Sequence, residues 1–97
     1  MRIISNKKLV DYYKKHKETE SQLKAWYHEA KKEKWNTPQD VKEKYGSASI
    51  IGNNRVVFNI KGNAYRLVAK FHFEKQWVFI KFIGTHVEYD KIDVNKI

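Results

Sequence analysis

The chain has 97 residues, of which 20 are Lys or Arg and 11 are Asp or Glu, and its formal net charge is +9. It has no cysteine, which excludes a disulfide framework and a thiolate metal site, and no apolar run has the length of a membrane span or of a signal-peptide core. We therefore expect one cytoplasmic domain, residues 1–97, with no membrane association and with a nucleic acid or an acidic protein as the partner of its distributed positive charge.

The first helix is predicted after a short apolar start. Residues 1–4 suit either an edge strand of a sheet or the beginning of that helix. Aliphatic and aromatic residues then recur at helical spacing, and Ser5 or Asn6 can serve as the N-cap. Lysines close the segment, where cations suit the helix dipole, so we predict that this helix ends near His16.

Two further helices are predicted in the N-terminal half. The second begins at Thr19 or Ser21, and its apolar residues follow the i, i+3, i+4, i+7 rule. We expect that apolar stripe, Leu23, Trp26, Tyr27 and Ala30, to pack against a sheet. Thr37 as N-cap, Pro38 at the first helical position and an acid at the third predict a short third helix that ends at Gly46.

The second half of the chain predicts three antiparallel strands. Residues 47–54 are a polar connection that can contain a brief strand, Gly62-Asn63 forms the turn after the first strand, and Gly84 ends the third strand. Strict alternation assigns the side chains to two faces. The predicted core face carries Val56, Phe58, Ile60, Leu67, Ala69, Phe71, Phe73, Val78, Ile80 and Phe82. The opposite face carries Val57, Asn59, Lys61, Arg66, Val68, Lys70, His72, Trp77, Phe79, Lys81 and Ile83.

These elements predict the α+β class, with the N-terminal helices packed on one face of an antiparallel β-sheet meander and the other face open. The open face is half cationic, and no carboxylate from the strands lies among its cations. Such a face can simply be the solvated side of the sheet, where lysine and arginine serve solubility. The alternative, which we favour, is that like charges gathered without partners bind an anion.

Two segments resemble a known family. FNIKGNAYRL, residues 58–67, and FIGTHVEYDKI, residues 82–92, closely resemble the HigB toxins of the RelE-like superfamily, and the order of helices before strands agrees over nearly the whole chain. The resemblance implies a microbial RNase-like, RelE-type fold. It also implies the toxin of a type II toxin–antitoxin pair, a metal-independent endoribonuclease (mRNA interferase) that cleaves mRNA, often on the translating ribosome, and that a HigA-type antitoxin neutralises.

The resemblance also implies roles for single residues. Arg66 falls on the arginine of the Tyr-Arg-Leu strand that RelE-type enzymes use near the scissile phosphate. Lys61 lies in the preceding hairpin, where relatives place basic residues, and Asn59 stands where RelE has a lysine. His86 stands where RelE has a second arginine, and Tyr89 comes close to the tyrosine of its C-terminal segment. The set is therefore HigB-like rather than RelE-like.

The residue types suit RNA cleavage, in which the 2′-OH is the nucleophile and the enzyme must move protons and stabilise the charged phosphate. His86 can transfer protons near neutral pH, Arg66 can bind two phosphate oxygens at once, and Tyr89 can stack on a base or donate its hydroxyl. We predict that the catalytic residues are Arg66, His86, Lys61 and Tyr89, and that the RNA-binding residues are Asn59, Lys70, Lys81 and Asp90. Asp90 can also orient His86.

Other interpretations stay open at this point. His86, Glu88 and Asp90 alternate as metal ligands on a strand can do, but no further ligand converges in sequence, so we expect neither a metal nor a cofactor. His86 can instead be a surface residue, and the remaining histidines, His16, His28 and His72, are interpreted as structural. The competing function is a non-catalytic basic module that holds RNA or an acidic protein without cutting.

Overall fold

A computed structural model describes residues 1–97 and confirms the predicted α+β class. In chain order the elements are β1 (Arg2–Ile4), α1 (Lys7–Lys15), a 3₁₀ turn (Lys17–Thr19), α2 (Glu20–Lys32), α3 (Pro38–Lys44), β2 (Ser49–Ile51), β3 (Arg55–Ile60), β4 (Tyr65–His72), β5 (Trp77–Thr85) and α4 (His86–Asp90). None of the helices combines the length and the hydrophobicity that crossing a membrane requires.

The five strands form one sheet in the order β1-β5-β4-β3-β2. Strands β3 to β5 are the predicted antiparallel meander, and β2 is a brief strand in the connection that was expected to allow one. Strand β1 is an edge strand, one of the two alternatives for residues 1–4, but it runs parallel to β5, with Arg2 opposite Trp77 and Ile4 opposite Phe79. The prediction of a wholly antiparallel sheet is therefore wrong. A parallel neighbour needs a long crossover connection, and nearly the whole chain, including α1 to α3, separates β1 from β5.

The N-terminal helices cover one face of the sheet, as predicted. Leu9 of α1 and Leu23 and Trp26 of α2 are buried, and the Trp26 ring meets the Phe58 ring edge-on at 5.3 Å. The short helix α3 has the predicted start, with a capping box between Thr37 and Asp40 and Pro38 in its first turn. From the strands, the buried core receives Val56, Phe58, Ile60, Leu67, Ala69, Phe71, Val78 and Ile80.

A β-bulge in β5 reverses the faces of the residues that follow it. Val68 pairs with Phe82 and Ala69 pairs with Ile80, so Lys81 has no partner on β4. The predicted positions of Phe82 in the core and Ile83 on the opposite face are therefore wrong. Ile83 packs against the core, whereas Phe82 lies on the other face, with its ring 6.3 Å from that of Tyr89.

The second face of the sheet is not open along its whole width. Val57 and Val68 pair on it and are only 4% and 0% exposed, and Arg55 is 7% exposed. The Arg55 Nε–H donates to the main-chain oxygen of Ile97 at 2.9 Å, and α4 lies against β4 and β5. The segment after β5 therefore covers β3 and β4, because their apolar residues on this face need burial, while the side chains of β5 on the same face stay partly exposed.

Candidate functional site

Arg66 lies at the centre of a row that crosses three strands. Its register partners are Asn59 on β3 and Gly84 on β5, and all three face away from α1 and α2. The Arg66 Nη1 donates to the carbonyl of Asn63 at 3.0 Å, which anchors the side chain over the β3–β4 turn. No carboxylate pairs with this half-buried guanidinium, so its charge is available to an anion.

Helix α4, which was not predicted, follows β5 directly, and β5 ends at Thr85, one residue after the predicted end at Gly84. Thr85 and Glu88 form a capping box, in which the Thr85 N–H donates to Glu88 Oε1 at 2.8 Å and the Glu88 N–H donates to Thr85 Oγ1 at 3.1 Å. The bond from the Thr85 N–H, followed by the Thr85 side chain, lowers the pKa of the Glu88 carboxyl group from its ordinary value. The Thr-x-x-Glu spacing is the sequence signal that could have predicted this helix.

The capping box also removes the basis for an aligned metal-ligand strand. His86, Glu88 and Asp90 lie on a helix rather than on one face of a strand, and the Glu88 carboxylate turns back onto Thr85. No three His, Asp or Glu side chains converge anywhere in the chain.

Gly84 allows the aromatic and acidic parts of the site to come close. A Cβ at this position would lie 2.6 Å from Phe82 Cζ and 2.9 Å from Glu88 Oε1. Both distances are shorter than side-chain contacts in folded proteins, so the absence of a side chain at Gly84 is what lets the Phe82 ring and the capping carboxylate occupy their places next to this glycine.

We expect Gly84→Ala to destabilise the protein by about 1–3 kcal/mol, because the new methyl group overpacks against Phe82 and Glu88. Urea unfolding of both proteins measures the difference. Gly46→Ala is the matched control, since a Cβ at Gly46 meets nothing within 4 Å. An equal effect of the two substitutions would contradict the role assigned to Gly84.

His86 and Asp90 lie next to each other at the first and last positions of α4. His86 Nδ1 is 3.3 Å from Asp90 Oδ2, and the two side chains are 49% and 57% exposed. The His86 main-chain N–H donates to the carbonyl of Ala64 at 3.0 Å, which joins the start of α4 to the turn before Arg66. The main-chain bond thus holds His86 and Asp90, which are 20 and 24 positions from Arg66 in sequence, close to the turn that precedes Arg66. The His86 Nε2 atom makes no hydrogen bond within the protein.

Tyr89, on the same helix, packs its partly buried ring beside Phe82. Its hydroxyl makes no hydrogen bond within the protein, so it is available to a ligand. Tyr89 therefore extends the site on the α4 side.

Lys61 and Asn59 have contacts that the alternation of the strand does not predict. Lys61 lies in the β3–β4 turn rather than on the strand, with a left-handed φ of 54°, and its N–H donates to Oε1 of Gln22 on α2. Its charge also contributes to a lowered pKa of Glu18. The Asn59 Nδ2 donates to the carbonyl of Ser47 at 3.1 Å and so holds the loop before β2. Of the two cations Lys61 and Arg66, only Arg66 therefore has a position on the sheet face that follows directly from the strand register.

The sequence did not predict a cluster of aromatic and acidic side chains at this end of the sheet. The Tyr65 hydroxyl donates to Glu18 Oε2, which lowers the pKa of Glu18, and His16 Nδ1 lies 3.9 Å from the same oxygen. Tyr12 stacks on His16 with the ring centres 4.2 Å apart, and burial together with the charge of Glu88 raises the pKa of Tyr12 to about 12. The cluster joins four elements, so spacing in the sequence gives no signal for it. It fixes the first residue of β4, next to Arg66, from the helical side of the sheet.

The two remaining predicted RNA-binding residues lie at the other end of β4 and β5. Lys70 pairs with Phe79, and Lys81 Nζ lies 5.8 Å from the centre of the Phe79 ring. Lys70 is four residues along the strand from Arg66, which corresponds to about 13 Å. The predicted site residues therefore form two groups, one around the Arg66 row with the β3–β4 turn and α4, and one beyond the bulge.

Comparisons with known proteins identify the family. Residues 19–92 match the family model of the HigB toxins, described as the RelE-like toxic component of a toxin–antitoxin system. The chain is 32% identical over 92 residues to the mRNA interferase toxin HigB of Escherichia coli K12, and the match covers 93% of the chain and 88% of that protein. The mRNA interferase HigB of Shigella flexneri gives the same values, and the mRNA interferase HigB of Escherichia coli O6:H1 is 27% identical over 94 residues, or 95% of the chain and 91% of that protein.

Proposed function

The chain belongs to the HigB family of RelE-like toxins, and from this we propose that it is the toxin of a type II toxin–antitoxin system, an endoribonuclease that cleaves mRNA and so inhibits translation. The observation that carries the proposal is the unpaired Arg66 beside the His86–Asp90 pair, on a face that offers further cations. The family relationship supports the class of reaction, and this group of residues supports the proposed location of the reaction on the molecule.

The reaction follows from the chemistry of RNA. The 2′-OH attacks the adjacent phosphate, one group takes its proton, another protonates the leaving 5′-oxygen, and cations stabilise the charge that develops on the phosphate. Arg66 binds the phosphate oxygens, and His86, with Asp90 facing its Nδ1, presents Nε2 for proton transfer. Tyr89 stacks on a base or donates to the phosphate, and Lys61 adds positive potential from the turn.

Four residues complete the proposed RNA contacts. Asn59, Lys70, Lys81 and Asp90 lie on the second face of the sheet or on α4 beside it. None of the steps requires a metal or another cofactor, since the nucleophile belongs to the substrate and the acid, base and cation are side chains. The mechanism proposed is therefore metal-independent.

We also propose the type of fold and the location of the protein. Residues 1–97 are a single domain of the microbial RNase-like, RelE-type fold, supported by the helices before strands and by a family match that spans residues 19–92. The protein acts in the cytoplasm, where mRNA is translated. Its substrate is mRNA, and the ribosome is the place where that mRNA is cleaved.

The partner that controls this activity is a cognate HigA-type antitoxin. Support comes from the family description, which names a toxic component of a toxin–antitoxin system, and from the net charge of +9, which an acidic protein would neutralise.

Induced expression in a bacterial host tests the proposed function. We expect growth arrest and new 5′ ends in cellular mRNA within the time of arrest, and we expect co-expression of the cognate antitoxin to abolish both. Mapping the 5′ ends across the transcriptome is the measurement. Soluble, folded protein that causes neither arrest nor new ends would contradict the proposal.

A further inference from the structure

Two aromatic side chains of β5, with basic side chains next to them, lie beyond the bulge, away from the Arg66 row. The rings of Trp77 and Phe79 lie 6.2 Å apart and nearly perpendicular, and His72 lies 5.8 Å from Trp77. Lys75 Nζ is 4.7 Å from the centre of the Trp77 ring, and Lys81 Nζ is 5.8 Å from that of Phe79. We call this set the basic-aromatic strip, and its members are Arg2, Lys70, His72, Lys75, Trp77, Phe79 and Lys81.

The cations of the strip have no acidic partners. Arg2 faces the same side as Trp77, its register partner, because the neighbouring pair of Ile3 and Val78 points into the core. None of the four cations of the strip forms a salt bridge, and Glu74 in the β4–β5 turn pairs with none of them. Elsewhere on the surface, Lys7, Lys24 and Lys44 do pair with carboxylates. The strip therefore keeps its positive charge uncompensated.

The aromatic rings of the strip are not needed by the core. Trp77 and Phe79 are partly exposed and lie on the face opposite the helices, outside the buried cluster. The segment after β5 covers Val57 and Val68 but leaves these rings partly exposed. A shallow cavity of about 230 Å³ lies beside Phe79, lined also by Lys70, His72 and Lys81. Exposed rings between unpaired cations are a surface that suits a flat, anionic ligand.

The strip is continuous with the candidate active site. Phe82 and Lys81 follow Phe79 along β5 on the same face and are partly exposed, and Phe82 lies under Gly84 in the Arg66 row. Trp77 pairs with His72, six residues from Arg66 along β4, so the strip reaches about 20 Å from that arginine. A strand bound with its phosphate at Arg66 and running along β5 would cross the strip.

We propose that the basic-aromatic strip is a subsite for single-stranded RNA that holds the substrate strand outside the nucleotides being cleaved. The inference rests on the proposed function for the identity of that strand. Bases stack on Phe79 and Trp77, and the lysines contact the flanking phosphates. Stacking on an aromatic ring accepts any base, so this subsite adds affinity without adding sequence preference. An acidic peptide could bind the cations, but it has no bases to stack on the two neighbouring rings.

Binding of RNA that cannot be cut tests the strip apart from catalysis. The probes are 2′-O-methyl RNAs, which lack the nucleophilic hydroxyl, in one length of about ten nucleotides and one of about two. Phe79→Leu together with Trp77→Leu is expected to weaken binding of the longer RNA by about ten-fold or more and to leave binding of the shorter RNA unchanged. Phe79→Tyr keeps an aromatic face and is expected to bind as the wild type does.

Controls separate stacking from charge and from misfolding. Tyr13→Leu removes a tyrosine that also has a lysine near its ring, Lys24 at 5.5 Å, but lies on α1, so it should not affect RNA binding. Lys75→Gln and Lys81→Gln should reduce the salt dependence of binding, whereas the leucine variants should not. Thermal unfolding of each variant shows that it is folded.

The outcomes distinguish this proposal from the proposed function. If the folded leucine variants bind the longer RNA with the affinity of the wild type, the proposed role of the strip is wrong, even when the wild type cleaves mRNA in cells. Variants that bind the free RNA normally but lose association with ribosomes would also overturn it and indicate a ribosome-contact surface. RNA binding that depends on the strip, in a protein that causes no cleavage in cells, would support the strip and contradict the enzyme.

Discussion

Arg66→Ala is expected to lower the rate of RNA cleavage by at least about 10²–10³-fold, the loss typical of removing one group that stabilises the charge of a transition state. Arg66 lies on the second face of the sheet, is bonded to the carbonyl of Asn63 and has no carboxylate partner, so its charge is not used to hold the fold. The variant should therefore fold normally. Growth of cells that express it and the mapped 5′ ends of their mRNA give the result.

Two further variants show what Arg66 contributes. Arg66→Lys keeps the positive charge but loses the planar group that binds two oxygens, so we expect intermediate activity. Lys32→Ala removes the same charge from the exposed end of α2, on the other side of the sheet, and should leave activity unchanged. Folded Arg66→Ala protein that still cleaves mRNA at the wild-type rate would exclude Arg66 from the reaction.

His86→Gln is the second substitution with a large expected effect. A glutamine keeps the size and some hydrogen bonding but cannot transfer a proton, so we expect cleavage to fall by about 10²–10⁴-fold. RNA binding should change little, because the side chain at this position is half exposed and the cations remain. Rates of cleavage and affinities for uncleavable RNA, measured on the same protein, separate the two effects.

This substitution also decides between the enzyme and the basic binding module. A binding module would keep its activity in His86→Gln and lose it, with a strong dependence on salt, when Lys61 and Arg66 are neutralised. Asp90→Asn tests the partner of His86, whose Oδ2 lies 3.3 Å from Nδ1, and we expect a smaller loss than for the histidine itself. A cleaving enzyme whose rate is indifferent to both substitutions would need a different proton-transfer group.

The helices were predictable because their signals are local. The stripe from Leu23 to Ala30, the Thr37 capping box and the proline after it act within a few residues, and each is present in the structure where the spacing indicates. Helix α4 carries the same kind of signal at Thr85 and Glu88, but it was not predicted, because His86, Glu88 and Asp90 were considered only as alternating residues. In the structure the helix forms, and both hydrogen bonds of its capping box are made.

The candidate site was predictable in part. Alternation along β3 and β4 put Arg66 and Lys70 on the face away from the helices, and the register agrees. Alternation failed in β5, because one unpaired residue at Lys81 exchanges the faces of Phe82 and Ile83, and a bulge leaves no mark that distinguishes it in an apolar run. The approach of His86 to Asp90 follows from a helix that was not predicted.

By itself, the sequence determined the α+β class, the basic character of the surface and the membership of the HigB family, because these depend on composition, on local periodicity and on two short segments. Only the tertiary structure decided the parallel placement of β1, the cover over Val57 and Val68, the cluster around Tyr12 and the continuity of the basic-aromatic strip with Arg66. These features arise where segments distant in the chain meet, and the free energy of burial and pairing that selects them does not exist until the sheet has formed.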